Sequence, residues 1–148
     1  MINAVRFAAA YAALTASHEV ADMWVQRDAD AQAKGGEGWS GRAACLRHVG
    51  SYTATQALAL CVTDRYLGLG LSPARAAAAL AVSAGTHYYA DRSGRHWQDP
   101  EPTGLVRVAH RIGKSDWLKH DKLAGFHLDQ SWHKGWILIA ALVAAGRS

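Results

Sequence analysis

Apolar and small residues recur at steps of three and four along four long stretches of the chain, and that period predicts helices. The first stretch, residues 3 to 33, places Tyr11, Leu14, His18, Asp22, Val25 and Gln26 along one broad face. Gly35, Gly36 and Gly38 then break the pattern. Ser40 is positioned to cap a second helix that reaches about Leu67, with Cys45, His48, Tyr52 and Thr55 on its inward face. Gly68 and Gly70 end it, and Ser72-Pro73 opens a third helix with a capping residue followed by proline at the first helical position. That helix runs to about Asp91 and carries Leu80, Ser83, Ala84, His87 and Asp91 on one stripe. A last helix is expected from about Gly125 to Ala145.

Between the third and last helices the pattern loosens. Gly94, Pro100, Pro102 and Gly104 punctuate the stretch, and only Thr103 to Ile112 has a short helical period. It carries Arg92, Arg95, Arg107, Arg111, Lys114, Lys119 and Lys122 against Asp99, Glu101, Asp116 and Asp121, so it is the basic part of the molecule. The resulting expectation is an all-α, four-helix-bundle-like single domain over residues 1 to 148. A polar, basic insertion at about 92 to 123 precedes its last helix.

Composition narrows this picture only modestly. The chain has 148 residues, enough for a real core, and its 50% apolar content is supplied largely by alanine, which lets helices approach closely. A net charge of +4 permits a phosphate-bearing ligand or nucleic acid without requiring either. Cys45 and Cys61 fall about 24 Å apart along one expected helix, too far to bridge, and are read as reduced core residues of a cytoplasmic protein. No export signal pattern opens the chain. The longest uncharged runs, Val49 to Thr63 and Ala76 to Ala90, fall short of the roughly 18 residues of a membrane span, so no stable membrane insertion is expected.

The chemistry lies in a repeated spacing. His18/Asp22, His87/Asp91 and Asp129/His133 each set an imidazole and a carboxylate four residues apart, a little over one helical turn, so that both project from one face. Random placement of 8 His and 12 acidic residues yields about one such pair, against four in the chain. The fourth, Asp116/His120, lies among Lys114, Lys119 and Lys122 and is read as a solvated coincidence. The other three sit in alanine-rich apolar segments, where an unpaired charge is costly.

An antiparallel bundle would bring His18, Asp22, His48, His87, Asp91, Asp129 and His133 to a common interior. Four imidazoles and three carboxylates suffice for one or two divalent transition ions. The absence of cysteine from the set points to zinc, manganese or iron. Such ions activate water and stabilise a leaving oxygen, so the leading expectation is a metal-dependent hydrolase of a phosphate-containing substrate, a nucleotide or nucleic acid. The bland alternative treats each pair as a buried hydrogen bond that orients helices. The protein would then be a non-catalytic helical module whose basic surface binds a protein or nucleic-acid partner.

Other residues are candidates by position. Arg92, next to Asp91, is placed to clamp phosphate, with Arg111 and Lys114 as second choices. Gln26 and Gln130 adjoin the expected ligands and can orient them. Lys34 and Glu19 are candidate acids or bases, each weighed against a solvent-facing role. Trp24, Trp132 and Trp136 are expected to pack the core. His96, His110, His120 and His127 show no partner pattern, and the His120-Asp121 dipeptide lacks the helical setting of an HD phosphohydrolase motif.

The segments H-E-V-A-D-M-W-V-Q at His18 to Gln26, Lys34, the isolated His48, H-Y-Y-A-D-R at His87 to Arg92, and F-H-L-D-Q-S-W-H at Phe126 to His133 together resemble the bacterial and phage family known as domain of unknown function 3307. The resemblance covers most of the chain. It is to the shorter, more polar actinobacterial and phage type, whereas many members of the family look membrane-embedded. It implies shared site residues and no particular activity.

Overall fold

In the computed structural model, which describes residues 3–93, 97, 99 and 101–146, every regular element is helical. Asn3 starts α1 (Ala4–Val20) by accepting hydrogen bonds from the N–H groups of Val5 and Arg6 on its side chain. The short α2 (Asp28–Ala33) leads into the longest helix, α3 (Gly38–Leu67), which ends on Gly68 in the left-handed conformation at φ +60°. Next come α4 (Pro73–Ser93), two short helices α5 (Gly104–Arg111) and α6 (Ser115–His120), and α7 (Ala124–Ala144). An all-α bundle is thus what the chain forms.

Of the four long helices, α1 packs on α3 and α7, and α4 packs on the same two. Their directions follow from the apolar core. Ala10 and Leu14 come from the middle of α1, before His18, and Ala79 from the early part of α4. They meet Leu60 near the end of α3 and Ile137, Ala140, Ala141 and Ala144 near the end of α7. Successive long helices therefore alternate in direction. The alanines at this end let the backbones close together, and Phe7, Tyr11, Leu71 and Leu80 cover the cluster. The opposite end collects the polar halves of the same helices.

Several expectations need correction. The helix expected over residues 3 to 33 is interrupted. Residues Ala21–Val25 form a π-helical turn, closed by Gln26 N–H donating to the Ala21 carbonyl at 2.9 Å, and Gln26 and Arg27 are extended before α2 begins. The extra residue in that turn shifts the helical register, and Val25 is exposed. Trp24, expected inside, is 86% exposed and lies off the His18/Asp22 face. Trp132 and Trp136 are only half-buried, their rings tilted at 58° to each other with centroids 5.8 Å apart and Tyr89 beside Trp132. Cys45 is buried as expected, but Cys61 faces outward. The second helix starts two residues before Ser40, with Glu37 as its capping position.

The insertion is more ordered than its sequence pattern implies. Leu118 of α6 and Ala109 of α5 pack on Ala124, with Trp97 and Leu128 against them, so both short helices are seated on the first turn of α7. Among the described residues no helix is long and apolar enough to cross a membrane.

Candidate metal centre

The polar end of the bundle gathers all seven His and Asp side chains expected to converge. His18 comes from α1, Asp22 from the π-helical turn, His48 from α3, His87 and Asp91 from α4, and Asp129 and His133 from α7. All four imidazoles are nearly inaccessible, at 0 to 3% exposure, and Asp91 is buried with them. Asp22 is mostly covered, while the Asp129 side chain keeps 23% exposure and marks the open side.

At the centre four atoms converge. His48 Nε2 and His87 Nε2 are 2.9 Å apart. Each lies 3.5 Å from Asp22 Oδ1 and 3.4 Å from Asp91 Oδ2. Asp22 Oδ1 and Asp91 Oδ2 have no hydrogen-bond partner among the described residues, and neither do Nδ1 of His48 and His87. A tetrahedral ion with bonds of about 2.0–2.2 Å separates its ligand atoms by roughly 3.3–3.6 Å, so the four nitrogen–oxygen separations match that spacing, while the two imidazoles approach to hydrogen-bond distance. Two nitrogen and two carboxylate donors are a suitable set for zinc, iron or manganese.

Around this nest the remaining residues form two further groups. His18, Asp22 and His87 offer ligand atoms within 4.8 Å of one another, as do Asp91, Asp129 and His133. His18 Nδ1 is 3.6 Å from Asp22 Oδ2, and His133 Nε2 is 3.3 Å from Asp129 Oδ2. Gln130 links these groups, its Oε1 facing His18 Nε2 at 3.1 Å and its amide donating to Asp129 Oδ2 at 3.4 Å.

Electrostatics without an ion are uneven. Burial holds His18 down to about 4, with the charge of His133 adding to the effect. Burial, then Lys34, does the same to His48, and burial lowers His87 to about 4 although Asp91 pulls the other way. Burial raises Asp22 to about 7 against the opposing pull of His133 and Lys34. For Asp91, burial would raise the carboxyl, but the nearby His87 imidazole, 3.4 Å away, and the Lys34 ammonium outweigh it and hold it well below the usual range. His133 is raised: burial opposes its charge, and Asp129, Asp22 and Asp91 overcome that. Three neutral imidazoles with available lone pairs are the protonation state that metal ligation requires.

The surrounding candidates divide sharply. Lys34, weighed between the site and solvent, is in the site, its Nζ 2.8 Å from Asp91 Oδ1. Arg92, expected to clamp phosphate, engages the backbone with one guanidinium nitrogen. Its Nη1 donates to the carbonyls of Lys34 and Gly36, 2.7 Å each, and so pins the α2–α3 loop that carries Lys34. That loop is pressed against α3, because a Cβ on Gly41 would collide with the Gly36 carbonyl group. Gln26 is half-buried with an Nε2 that has no partner among the described residues. Glu19 instead pairs with Lys134 at the surface, 3.0 Å away.

Of the remaining histidines, His110 bonds the Trp97 carbonyl and Ser115, and His127 stacks on Trp117. His120 bonds the Asp116 carbonyl on exposed α6, away from the bundle interior, which agrees with the expected coincidence. His96 and Arg95 lie outside the described residues. A pocket of about 250 Å³ borders the centre at Asp91 and Asp129 and is lined also by Lys34, Trp97 and Phe126. Trp97 gave no sequence signal, sitting in an irregular segment. Its ring rests on Gly125, where a Cβ would meet Trp97 Cδ1 at 2.5 Å.

No family model, no curated protein and no solved structure matches the chain.

Proposed function

We propose that this protein is a metal-dependent hydrolase of a phosphate-containing substrate, a nucleotide or a nucleic acid end, using one or two ions of zinc, manganese or iron. The observation that carries the reading is the central nest, in which the Nε2 atoms of His48 and His87 each lie 3.4–3.5 Å from a carboxylate oxygen of both Asp22 and Asp91 inside a buried core. Four such groups without a cation leave two buried carboxylate oxygens unpaired, at a cost of several kcal/mol. An ion removes that cost and explains why helices otherwise built from alanine carry these residues. The same seven residues underlie the resemblance to domain of unknown function 3307, and we propose membership of that family on that basis.

A bound ion supplies Lewis acidity, making a nucleophile of water near neutral pH and offsetting charge on a phosphoryl oxygen. The chain's own groups do the positioning. Lys34 holds Asp91 ionised and oriented, and Arg92 holds Lys34 in place. Gln130 orients His18 and Asp129 together. The pocket, at about 250 Å³, is smaller than the roughly 300–1,000 Å³ of drug-sized ligand sites. It favours a single phosphate-bearing group over a duplex. A cytoplasmic setting accords with two unpaired cysteines.

The test is a screen of phosphomonoesters, nucleotides and single-stranded nucleic acid with each metal, on the wild type and on Asp91→Asn and Asp129→Asn. Both variants should lose turnover while keeping their helical signal. Turnover retained in both would contradict the proposal.

A second reading draws on Arg107, Arg111, Lys119 and Lys122, all exposed on the insertion. In it the protein is a non-catalytic module that binds a nucleic-acid or protein partner, and its binding weakens with salt and is indifferent to chelators.

A further inference from the structure

The seven residues do not form one symmetric basin, and their inequality has a chemical meaning. The His48, His87, Asp22 and Asp91 nest supplies four protein donors and is closed, since both imidazoles are about 1% exposed. The Asp91, Asp129 and His133 group supplies three, and two of its members, Asp91 and Asp129, line the pocket that opens to the surface. His133 is 3% exposed, and its Nε2 has no hydrogen-bond partner among the described residues while it faces Asp129 Oδ2 at 3.3 Å. The buried imidazole nitrogen and the partly exposed carboxylate, whose Oδ2 is also approached by the Gln130 amide at 3.4 Å, thus stand side by side at the inner end of the pocket, placed as ligands of one cation.

We infer that the centre is dinuclear and unequal. A closed, four-ligand position is formed by His48, His87, Asp22 and Asp91, and an open, three-ligand position by His133, Asp129 and Asp91, whose carboxylate bridges the two. The inference rests on the proposed metal-dependent activity and deepens it. Closed four-ligand sites are structural in character, whereas three protein ligands with free positions are the catalytic arrangement. The open position is the one that touches the pocket walls formed by Lys34, Trp97 and Phe126. It therefore takes the phosphoryl group and the water, while the closed position organises the helices. The third group, His18 with Asp22 and His87, borrows two of its three members from the closed position and is not an independent site.

The experiment is a titration of metal-free protein with cobalt(II), read by visible absorption and by equilibrium stoichiometry, on the wild type, Asp129→Asn and His133→Gln. Asp129 is partly exposed, so its variant retains the fold even if replacement of buried His133 does not. The wild type should bind about two equivalents, the first giving the intense bands of tetrahedral cobalt. Asp129→Asn should bind about one, with those bands intact. About one equivalent in both proteins, or about two in both, overturns the dinuclear assignment while leaving a metal site standing. No cobalt bound by the folded wild type overturns the metal reading itself.

Discussion

Gln130 of α7 determines which nitrogen of His18 carries the proton. The Gln130 amide group donates to Asp129 Oδ2, which leaves its Oε1 to accept from His18 Nε2 at 3.1 Å. His18 Nε2 is thereby the protonated nitrogen, and with the ring held neutral by burial its Nδ1 lone pair faces Asp22 Oδ2 at 3.6 Å. Two acceptors face each other in a covered space. A shared proton or a cation resolves that conflict, and one glutamine ties both outlying groups of the centre to it.

Replacing that glutamine should therefore loosen the site without unfolding the bundle. Gln130→Leu keeps approximate volume and is expected to weaken metal affinity by roughly 10–100-fold, the usual cost of losing an orienting partner. Competition with a chromogenic chelator measures it. Unchanged affinity would mean that the Gln130 contact is structural only.

Arg92 and Lys34 form a relay from loop to ligand. Arg92→Ala removes two hydrogen bonds to loop carbonyls and should cost about 1–3 kcal/mol of stability, measured by urea unfolding. It should also reduce metal affinity about as much as Lys34→Met does, because both changes free the same Asp91 oxygen. A large effect of Lys34→Met beside none from Arg92→Ala would break the relay.

The metal-free protein should be acid-sensitive in a defined window. His18, His48 and His87 bind protons near pH 6.5 when unfolded but only near 4 in the bundle, so the unfolded chain gains protons first as pH falls. Their contribution is complete above 6.5 and is lost as pH falls from there to about 4. Asp22 acts oppositely, since its folded value is raised from 3.8 to about 7 and its contribution is lost as pH rises through 7. Three imidazoles outweigh one carboxyl, so the thermal midpoint of chelated protein should drop from pH 6.5 to 4. Saturating metal should steepen the drop, because ligands must be deprotonated to bind. A midpoint that is flat across this range in metal-free protein would contradict the neutral buried state.

Gly125→Ala tests the pocket wall. The added methyl displaces Trp97, and the overpacking should cost about 1–3 kcal/mol against a gain in helix propensity of up to about 1 kcal/mol. Metal affinity should hardly move, whereas quenching of tryptophan fluorescence by small solutes should increase.

The alternation of helices and six of the central residues were legible because a spacing of four residues has one meaning on a helix and recurs in three separate ones, while His48 was found only as the lone histidine on the inward face of its helix. Fold and site were thus readable from the same signal. What escaped was whatever depends on a single inserted residue or on a loop. The π-helical turn at Ala21–Val25 adds one residue to a turn without changing any local composition, and Val25, on the expected inward face, is exposed. Lys34 looks like any charge beside a glycine-rich loop until Arg92 is seen to hold that loop on Asp91. Trp97, in an irregular segment between prolines and glycines, has no period from which its place over Gly125 could be read.

The most direct measurement is metal content per chain by elemental analysis, on tag-free protein reconstituted with zinc, manganese or iron and then desalted. It is repeated on a folded His48→Gln, His87→Gln double variant. The account predicts about one to two equivalents in the wild type and loss of at least about one in the variant, whose missing Nε2 atoms are those 2.9 Å apart at the centre. Metal-free wild type under all three conditions, with its helices intact, would contradict it and leave the histidines and aspartates as a purely structural core.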